Sequence, residues 1–282
     1  MGVRQDGKFP LRRRLAMTQR NFYTGAAWVM HRSFPGRAKG KPSNLFARSP
    51  DGGFRVHDGS GEFMGASAAQ ADHSFFWRKL HSLTGIIPVG AYLADHIWSN
   101  SYALVGAENY NHTSLELQTV PWRLPIEICV IWLPLLYHAG YGFYIWSRGK
   151  NNVSAYPWVG NWMFTIQRWT GLLAFFFIAW HLYDERFKTH GMSTYMDVYN
   201  TMQNPWFFGF FLVGVTACSV HLGVGIWNFL CKWGLAATVK SQRAAGFLGT
   251  AVGAALVIMS VTIVICFRYN LHPLNSYIQT IK

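Results

Sequence analysis

Apolar residues along the chain gather into five runs of about 20 residues, the length that an α-helix needs to cross the hydrocarbon core of a bilayer. Trp and Tyr recur near the ends of the runs, as in the aromatic belts of membrane proteins. Pro88 lies within the first run and predicts a kink there. The pattern predicts an all-α integral membrane protein, a five-transmembrane-helix bundle with spans at residues 80–100, 124–146, 162–183, 206–231 and 247–267.

The first 74 residues follow a different pattern. They are rich in Arg, Gly, Ser and Pro, and their charges and helix breakers have no helical or strand period. Their apolar segment at residues 22–30 is too short to span a bilayer. We therefore predict a basic, irregular N-terminal extension over residues 1–74, on the cytoplasmic side, followed by a membrane domain over residues 75–282.

The net charge of +13 could suggest nucleic-acid binding. However, 14 of the 25 Lys and Arg residues lie at or before Lys79, and the rest are scattered among short loops, so no basic face follows a folded domain. Basic residues beside membrane spans more often set the orientation of the protein in the membrane or bind anionic lipid. With five spans, the side of the membrane that holds the N-terminus carries 20 Lys and Arg residues and the other side carries 5. Without the part of the N-terminal extension that is distant from the membrane, the numbers are 8 and 5. Because Lys and Arg are more frequent on the cytoplasmic side, the pattern predicts a cytoplasmic N-terminus and an outer C-terminus.

The four cysteines, Cys129, Cys218, Cys231 and Cys266, all lie within apolar runs. The sequence has no C-x-x-C or C-x-x-C-H motif, which argues against covalent haem attachment and against a cysteine-ligated iron–sulfur cluster. We interpret these residues as small buried hydrophobes.

Each of the first four runs holds a histidine, and an imidazole in hydrocarbon is costly and usually functional. With a helix rise of 1.5 Å per residue, His138 and His221 lie about 15 Å from the cytoplasmic ends of their helices, and His96 and His181 about 20 to 25 Å deep. His138 and His221 therefore lie at one depth, nearer the cytoplasm, and His96 and His181 lie at another, nearer the outer face, so each two histidines at the same depth form a pair. Two such pairs are what the irons of two six-coordinate haems need as axial ligands. For any single histidine, an interhelical hydrogen bond is the alternative.

Gly142 and Gly225 each follow a histidine of the cytoplasmic pair by four residues, on the same helical face. We predict that they let a flat macrocycle pack close to the backbone. Close helix packing is the alternative explanation, and the sequence does not decide between the two.

Cationic and hydroxyl side chains near the cytoplasmic ends of the spans are candidates for contacts with haem propionates or with the interface. Capping of the helix ends, or binding of anionic lipid, explains them equally well. These candidates are Arg78, His81, Ser82, Arg168 and Lys232.

Several segments resemble the di-haem cytochrome b membrane-anchor subunits of succinate dehydrogenases, the Bacillus-type succinate:menaquinone oxidoreductases that are related to di-haem fumarate reductases. The resemblance covers residues 75–268. It rests on Arg78-Lys-Leu-His81-Ser-Leu-x-Gly85-x-Ile-Pro-Val-Gly90, Leu135-Leu-Tyr-His138-Ala-x-Tyr-Gly142, Asn161-Trp-Met-Phe164, Gln167-Arg168-x-Thr-Gly171 and Trp180-His181. The 74-residue extension departs from the family pattern, in which the first helix begins near the N-terminus.

The resemblance implies a five-helix anchor of complex II in the bacterial cytoplasmic membrane, with two haems b and with flavoprotein and iron–sulfur partner subunits. The resemblance implies the same pairing of the four histidines that their depth in the membrane predicts. Electrons would pass from the iron–sulfur subunit through the haem of His138 and His221, then that of His96 and His181, to menaquinone. The succinate site would lie on a partner subunit, so no catalytic residue is assigned here. A higher oligomer of the complex is a further expectation.

Two alternatives remain open at this point. One keeps the haem but changes the enzyme, so that the chain anchors a fumarate reductase or another quinone-linked enzyme. The other is a haem-free transporter or proton carrier that uses the histidines as a relay. A relay predicts acidic side chains near the histidines, and within the spans only Asp95 is adjacent to one.

Overall fold

The computed structural model describes residues 46–48, 54–56, 68–188 and 193–274. The chain divides into two units, Met1–Ala66 and Ser67–Lys282. In the first unit, β1 (Phe46–Arg48) pairs with β2 (Phe54–Val56) as an antiparallel ladder. The extension that we predicted to be irregular therefore contains a short hairpin, and most of its remaining residues lie outside the described part of the chain.

The described part of the second unit is helical. A 3-10 turn lies at Ser101–Leu104, and π-helical turns lie at Glu127–Trp132 and Tyr183–Lys188. The α-helices are α1 (Ala68–Ile86), α2 (Pro88–Asn100), α3 (Ala107–Gln118), α4 (Arg123–Ile126), α5 (Leu133–Arg148), α6 (Val159–Leu182), α7 (Tyr195–Gln203), α8 (Pro205–Lys232) and α9 (Val239–Tyr269).

Within the described residues, four helices are long and apolar enough to cross a membrane: Arg123–Arg148, Val159–Lys188, Pro205–Lys232 and Val239–Tyr269. They contain the second to fifth predicted spans. The first predicted span is not among them, because helix geometry is interrupted between α1 and α2 at the predicted kink. Pro88 stands at the start of α2, where its missing N–H is tolerated. The number of crossings in the bundle therefore stays a prediction.

The two π-helical turns are tied together by one carboxylate. Glu127 accepts hydrogen bonds from Arg123 Nε at 2.6 Å and from Arg186 Nη2 at 2.8 Å. Arg123 lies one helical turn before Glu127, whereas Arg186 belongs to the second π turn. This partly buried ion pair therefore joins α4 to the end of α6, at the same end of the bundle.

Glycines bring α8 and α9 into backbone contact. A Cβ atom placed on Gly223 of α8 would lie 2.7 Å from the carbonyl oxygen of Gly249 and 2.9 Å from the Cα of Gly253, both on α9. Small residues four apart allow this close approach in membrane helices, where packing rather than the hydrophobic effect drives association. The last span, which has no histidine, is therefore held by packing alone over this stretch.

Short helices close the end of the bundle away from Lys79 and Lys232. Tyr195 of α7 is almost completely buried; its hydroxyl donates to Asn270 Oδ1 and its amide to Asn111 Oδ1. The side chain and amide of Thr194 donate hydrogen bonds to the Asp197 carboxylate. These bonds cap the start of α7, and they hold the pKa of Asp197 below its usual range. Tyr195 and Met202 of α7 belong to the main cluster of buried apolar residues.

The α8–α9 contact makes a testable prediction. Gly223→Ala places a methyl group against backbone atoms that cannot move aside, so we expect a loss of stability of about 1 to 3 kcal/mol. Gly209→Ala, in the same helix, is the matched control, because a Cβ there meets nothing within 4 Å. Thermal unfolding of the detergent-solubilised protein measures the difference. Equal melting temperatures for the two variants would contradict the close contact.

Candidate functional site

The structure brings the four membrane histidines together in the pairs that helix depth predicts. The ring centroids of His138 and His221 are 6.2 Å apart, with planes at 80°. Those of His96 and His181 are 5.8 Å apart, with planes at 64°. The first pair joins α5 to α8, and the second joins α2 to α6.

Both separations fit a metal ion between the rings. A metal–imidazole bond is about 2 Å, and a ring nitrogen lies about 1 Å from its ring centre, so two imidazoles on opposite sides of one ion have centroids about 6 Å apart. Among the described residues, no group of three or more His, Cys, Asp or Glu side chains could hold a metal ion. A metal at either pair would therefore need its remaining ligands from a bound group such as a porphyrin.

A backbone carbonyl holds one nitrogen of each ring in the His138–His221 pair. His138 Nδ1 lies 3.0 Å from the carbonyl oxygen of His81 on α1, and His221 Nδ1 lies 3.0 Å from that of Gln167 on α6. A carbonyl only accepts, so Nδ1 carries the proton in each ring and Nε2 keeps its lone pair. This tautomer is the one in which a histidine binds a metal through Nε2. Gln167 Nε2 lies 3.3 Å from His221 Nε2, so a metal bound there would replace that contact.

The same short motif supports both rings. Four residues after each acceptor carbonyl stands a glycine, Gly85 on α1 and Gly171 on α6. A Cβ on Gly171 would lie 2.8 Å from Cε1 of His221, and one on Gly85 would overlap the ring of His138. The residue before each glycine is a threonine, whose hydroxyl donates back into its own helix. Each imidazole therefore rests on a bare helical face that also supplies its hydrogen-bond acceptor.

Gly142 and Gly225, which we predicted to pack against a macrocycle, have other neighbours. Gly142 lies against His81, since a Cβ there would be 3.0 Å from His81 Nε2, and Gly225 lies near Gln167 and Ile86. The haem-packing role of Gly142 and Gly225 stays a prediction. The glycines against the His138 and His221 rings are on neighbouring helices. The repeated Thr-Gly dipeptide, three and four residues after the acceptor, was the signal available in the sequence.

The His96–His181 pair is supported by aromatic rings instead. Tyr92 stacks on His96 and Phe177 on His181, each with a centroid distance of 5.6 Å and each one turn earlier on the same helix. His181 Nδ1 is buried without a hydrogen-bond partner among the described residues. Asn100 Nδ2 lies 3.5 Å from His96 Nε2. The two pairs are thus held by different means.

An apolar cavity lies beside the His138–His221 pair, and two of its lining residues, Gln167 and Arg168, carry a buried polar atom without a partner among the described residues. Arg168 reaches it from α6; its Nη2 donates to the carbonyls of Trp146 and Gly149, while its buried Nη1 has no hydrogen-bond partner in the described chain. Gln167 Oε1 is likewise buried and unpaired. An apolar wall with one unsatisfied guanidinium nitrogen suits a ligand that is mostly apolar and carries an anionic edge.

The other candidates for propionate contacts are placed differently. His81 lines the cavity, whereas Arg78, Ser82 and Lys232 do not. The carbonyl of Lys232 accepts a hydrogen bond from Lys79 Nζ, which also lies 4.7 Å from the centre of the Trp233 ring. This contact closes the end of α8 against α1. The propionate role of these residues stays a prediction.

Comparison with known proteins gives one curated relative. The succinate dehydrogenase cytochrome b558 subunit of Bacillus subtilis (strain 168) is 36% identical to the chain over 198 residues. The alignment covers 70% of this chain and 98% of that protein. No protein-family model matches the chain.

The glycine support predicts a local defect at one histidine pair. Gly171→Ala would push a methyl group into His221, so we expect b-type haem bound at that pair to be lost or reduced. Gly140→Ala on α5 is the control, because a Cβ there meets nothing within 4 Å. Haem content per polypeptide, measured after purification, compares the two variants. Full haem content in Gly171→Ala would contradict the proposed support.

Proposed function

The chain belongs to the family of succinate dehydrogenase cytochrome b subunits, and we propose that it is the membrane anchor of a succinate:quinone oxidoreductase, complex II. In this role it is a subunit of the enzyme without the succinate site, which a flavoprotein partner would carry. The observation that supports the proposal best is the His138–His221 pair, whose ring centroids are 6.2 Å apart and whose Nδ1 atoms both lie 3.0 Å from backbone carbonyl oxygens.

We assign two haems b to the two histidine pairs. His138 and His221 would hold one iron, and His96 and His181 the other; both centroid separations support this assignment. Bound haem b supplies reversible one-electron transfer, here between an iron–sulfur partner subunit and a quinone. Menaquinone is proposed as that quinone on the resemblance of the sequence motifs alone.

The surrounding residues would prepare each site. The carbonyls of His81 and Gln167 would make the two imidazoles more basic and anchor one nitrogen of each ring. The apolar cavity wall would keep water away from a bound haem. Arg168, whose buried Nη1 has no hydrogen-bond partner among the described residues, would supply the positive charge that a haem propionate needs.

The fifth crossing would be formed by α1 and α2 together. His96 on α2 meets His181, which lies inside a helix long and apolar enough to span the membrane, so α2 shares its depth. α1 packs against α5 and α8, two more such helices. The proposed anchor thus has five crossings in the bacterial cytoplasmic membrane, with its N-terminus in the cytoplasm and its C-terminus outside, as the loop charges predict. A higher oligomer of the complex remains part of the proposal.

Ligand substitutions test the assignment of the haems. We expect two haems b in the purified complex, and one after either His138→Ala or His96→Ala, because each change removes an axial ligand of only one iron. His112→Ala is the control, since this side chain is 72% exposed on α3. Pyridine haemochrome assays and reduced-minus-oxidised spectra give the haem content, and the remaining haem shows that the variant is folded.

The alternatives give different results in the same preparation. If the wild-type protein has no b-type absorption band, the haem assignment is wrong, and the histidine relay is the alternative to test next. If haem is present but no covalently flavinylated subunit copurifies, the anchor serves another quinone-linked enzyme. If His138→Ala retains two haems, the proposed pairing is wrong. The preferred direction, succinate oxidation or fumarate reduction, follows from activity assays of the intact complex.

A further inference from the structure

His81 lies directly against one histidine of the His138–His221 pair. The two rings are stacked, with centroids 4.2 Å apart and planes within 6° of each other. His81 belongs to α1 and His138 to α5, so the contact is between helices. None of the proposed ligand roles uses the His81 ring.

The His81 ring is itself held in a fitted position. Gly142, one turn after His138, leaves room for it, since a Cβ there would lie 3.0 Å from His81 Nε2. Tyr141 covers it at a centroid distance of 5.8 Å with the rings tilted by 51°. His81 also lines the cavity beside the histidine pair. The ring is therefore a fixed flat surface next to His138.

The hydrogen bond of His138 alone does not fix its plane. The bond from Nδ1 to the His81 carbonyl sets the direction in which the ring points, but the imidazole can still turn about its bonds to the backbone. A second flat ring 4.2 Å away allows only nearly parallel orientations. Residue 81 thus acts twice on His138, through its carbonyl and through its side chain.

We propose that His81 is a positioning residue that sets the plane of the His138 imidazole, and with it the 80° angle between the His138 and His221 planes. The inference rests on the proposed function, in which these two rings are axial ligands of one haem. Nearly perpendicular axial planes leave two iron d orbitals almost equal in energy. Such a low-spin ferric haem gives an electron paramagnetic resonance signal at unusually high g.

Two substitutions separate stacking from hydrogen bonding. His81→Phe keeps a flat ring but removes the nitrogen atoms, whereas His81→Asn keeps polar atoms in a smaller side chain. If His81 positions His138, His81→Phe retains the high-g signal, and His81→Asn shifts the lowest-field feature of one haem to lower g. The signal of the haem at His96 and His181 serves as the internal control and is expected to stay unchanged. Both variants leave the backbone carbonyl in place.

The measurement uses the oxidised, purified complex, with haem content determined in parallel. Loss of one haem in His81→Asn but not in His81→Phe also supports the proposal. Wild-type g values in both variants overturn the proposal. So do altered g values in His81→Phe together with wild-type g values in His81→Asn, because that result would indicate that His81 acts through a hydrogen bond to a propionate. Absence of haem from the wild-type complex would instead contradict the proposed function.

Discussion

The hydrogen bond from an imidazole Nδ1 to a backbone carbonyl on a neighbouring helix is the interaction on which the rest of the site depends. A histidine in hydrocarbon must satisfy its N–H group within the protein. A helical carbonyl has a second lone pair, so it accepts this bond without leaving its own helix. His138 joins α5 to α1 in this way, and His221 joins α8 to α6. The two joined helix pairs face each other across the proposed iron position.

Glycine and threonine make this interaction fit. The bond requires the imidazole to approach within van der Waals distance of the partner helix, and a side chain at Gly85 or Gly171 would prevent it. The preceding threonines turn their hydroxyls back to their own helices, so they add no unsatisfied polar atom to the membrane. The His96–His181 pair uses Tyr92 and Phe177 instead, as stacked rings. One bundle therefore holds its two histidine pairs by different chemistry.

Four long apolar helices and the proximity of the membrane histidines in two pairs could be predicted from the sequence, because helix rise is constant and converts residue number into depth. The contacts between helices could not. They depend on how each helix is rotated about its axis, which one sequence leaves open; for this reason the contacts of Gly85 and Gly171 with the two imidazoles were not predicted. The early start of α1 at Ala68 was also missed, since Asp72, His73 and Arg78 interrupt its apolar pattern. The π turns at Glu127 and Tyr183 have no reliable pattern of their own.

The break at Pro88 separates the two levels of the bundle. Residues that support His138, namely His81 and Gly85, lie on α1 before the break, and His96 lies on α2 after it. A continuous helix would fix the rotation of α2 relative to α1, whereas the break lets each of them face its own histidine pair. The uninterrupted α6, which carries both Gln167 and His181, then sets the vertical spacing between the two proposed iron centres.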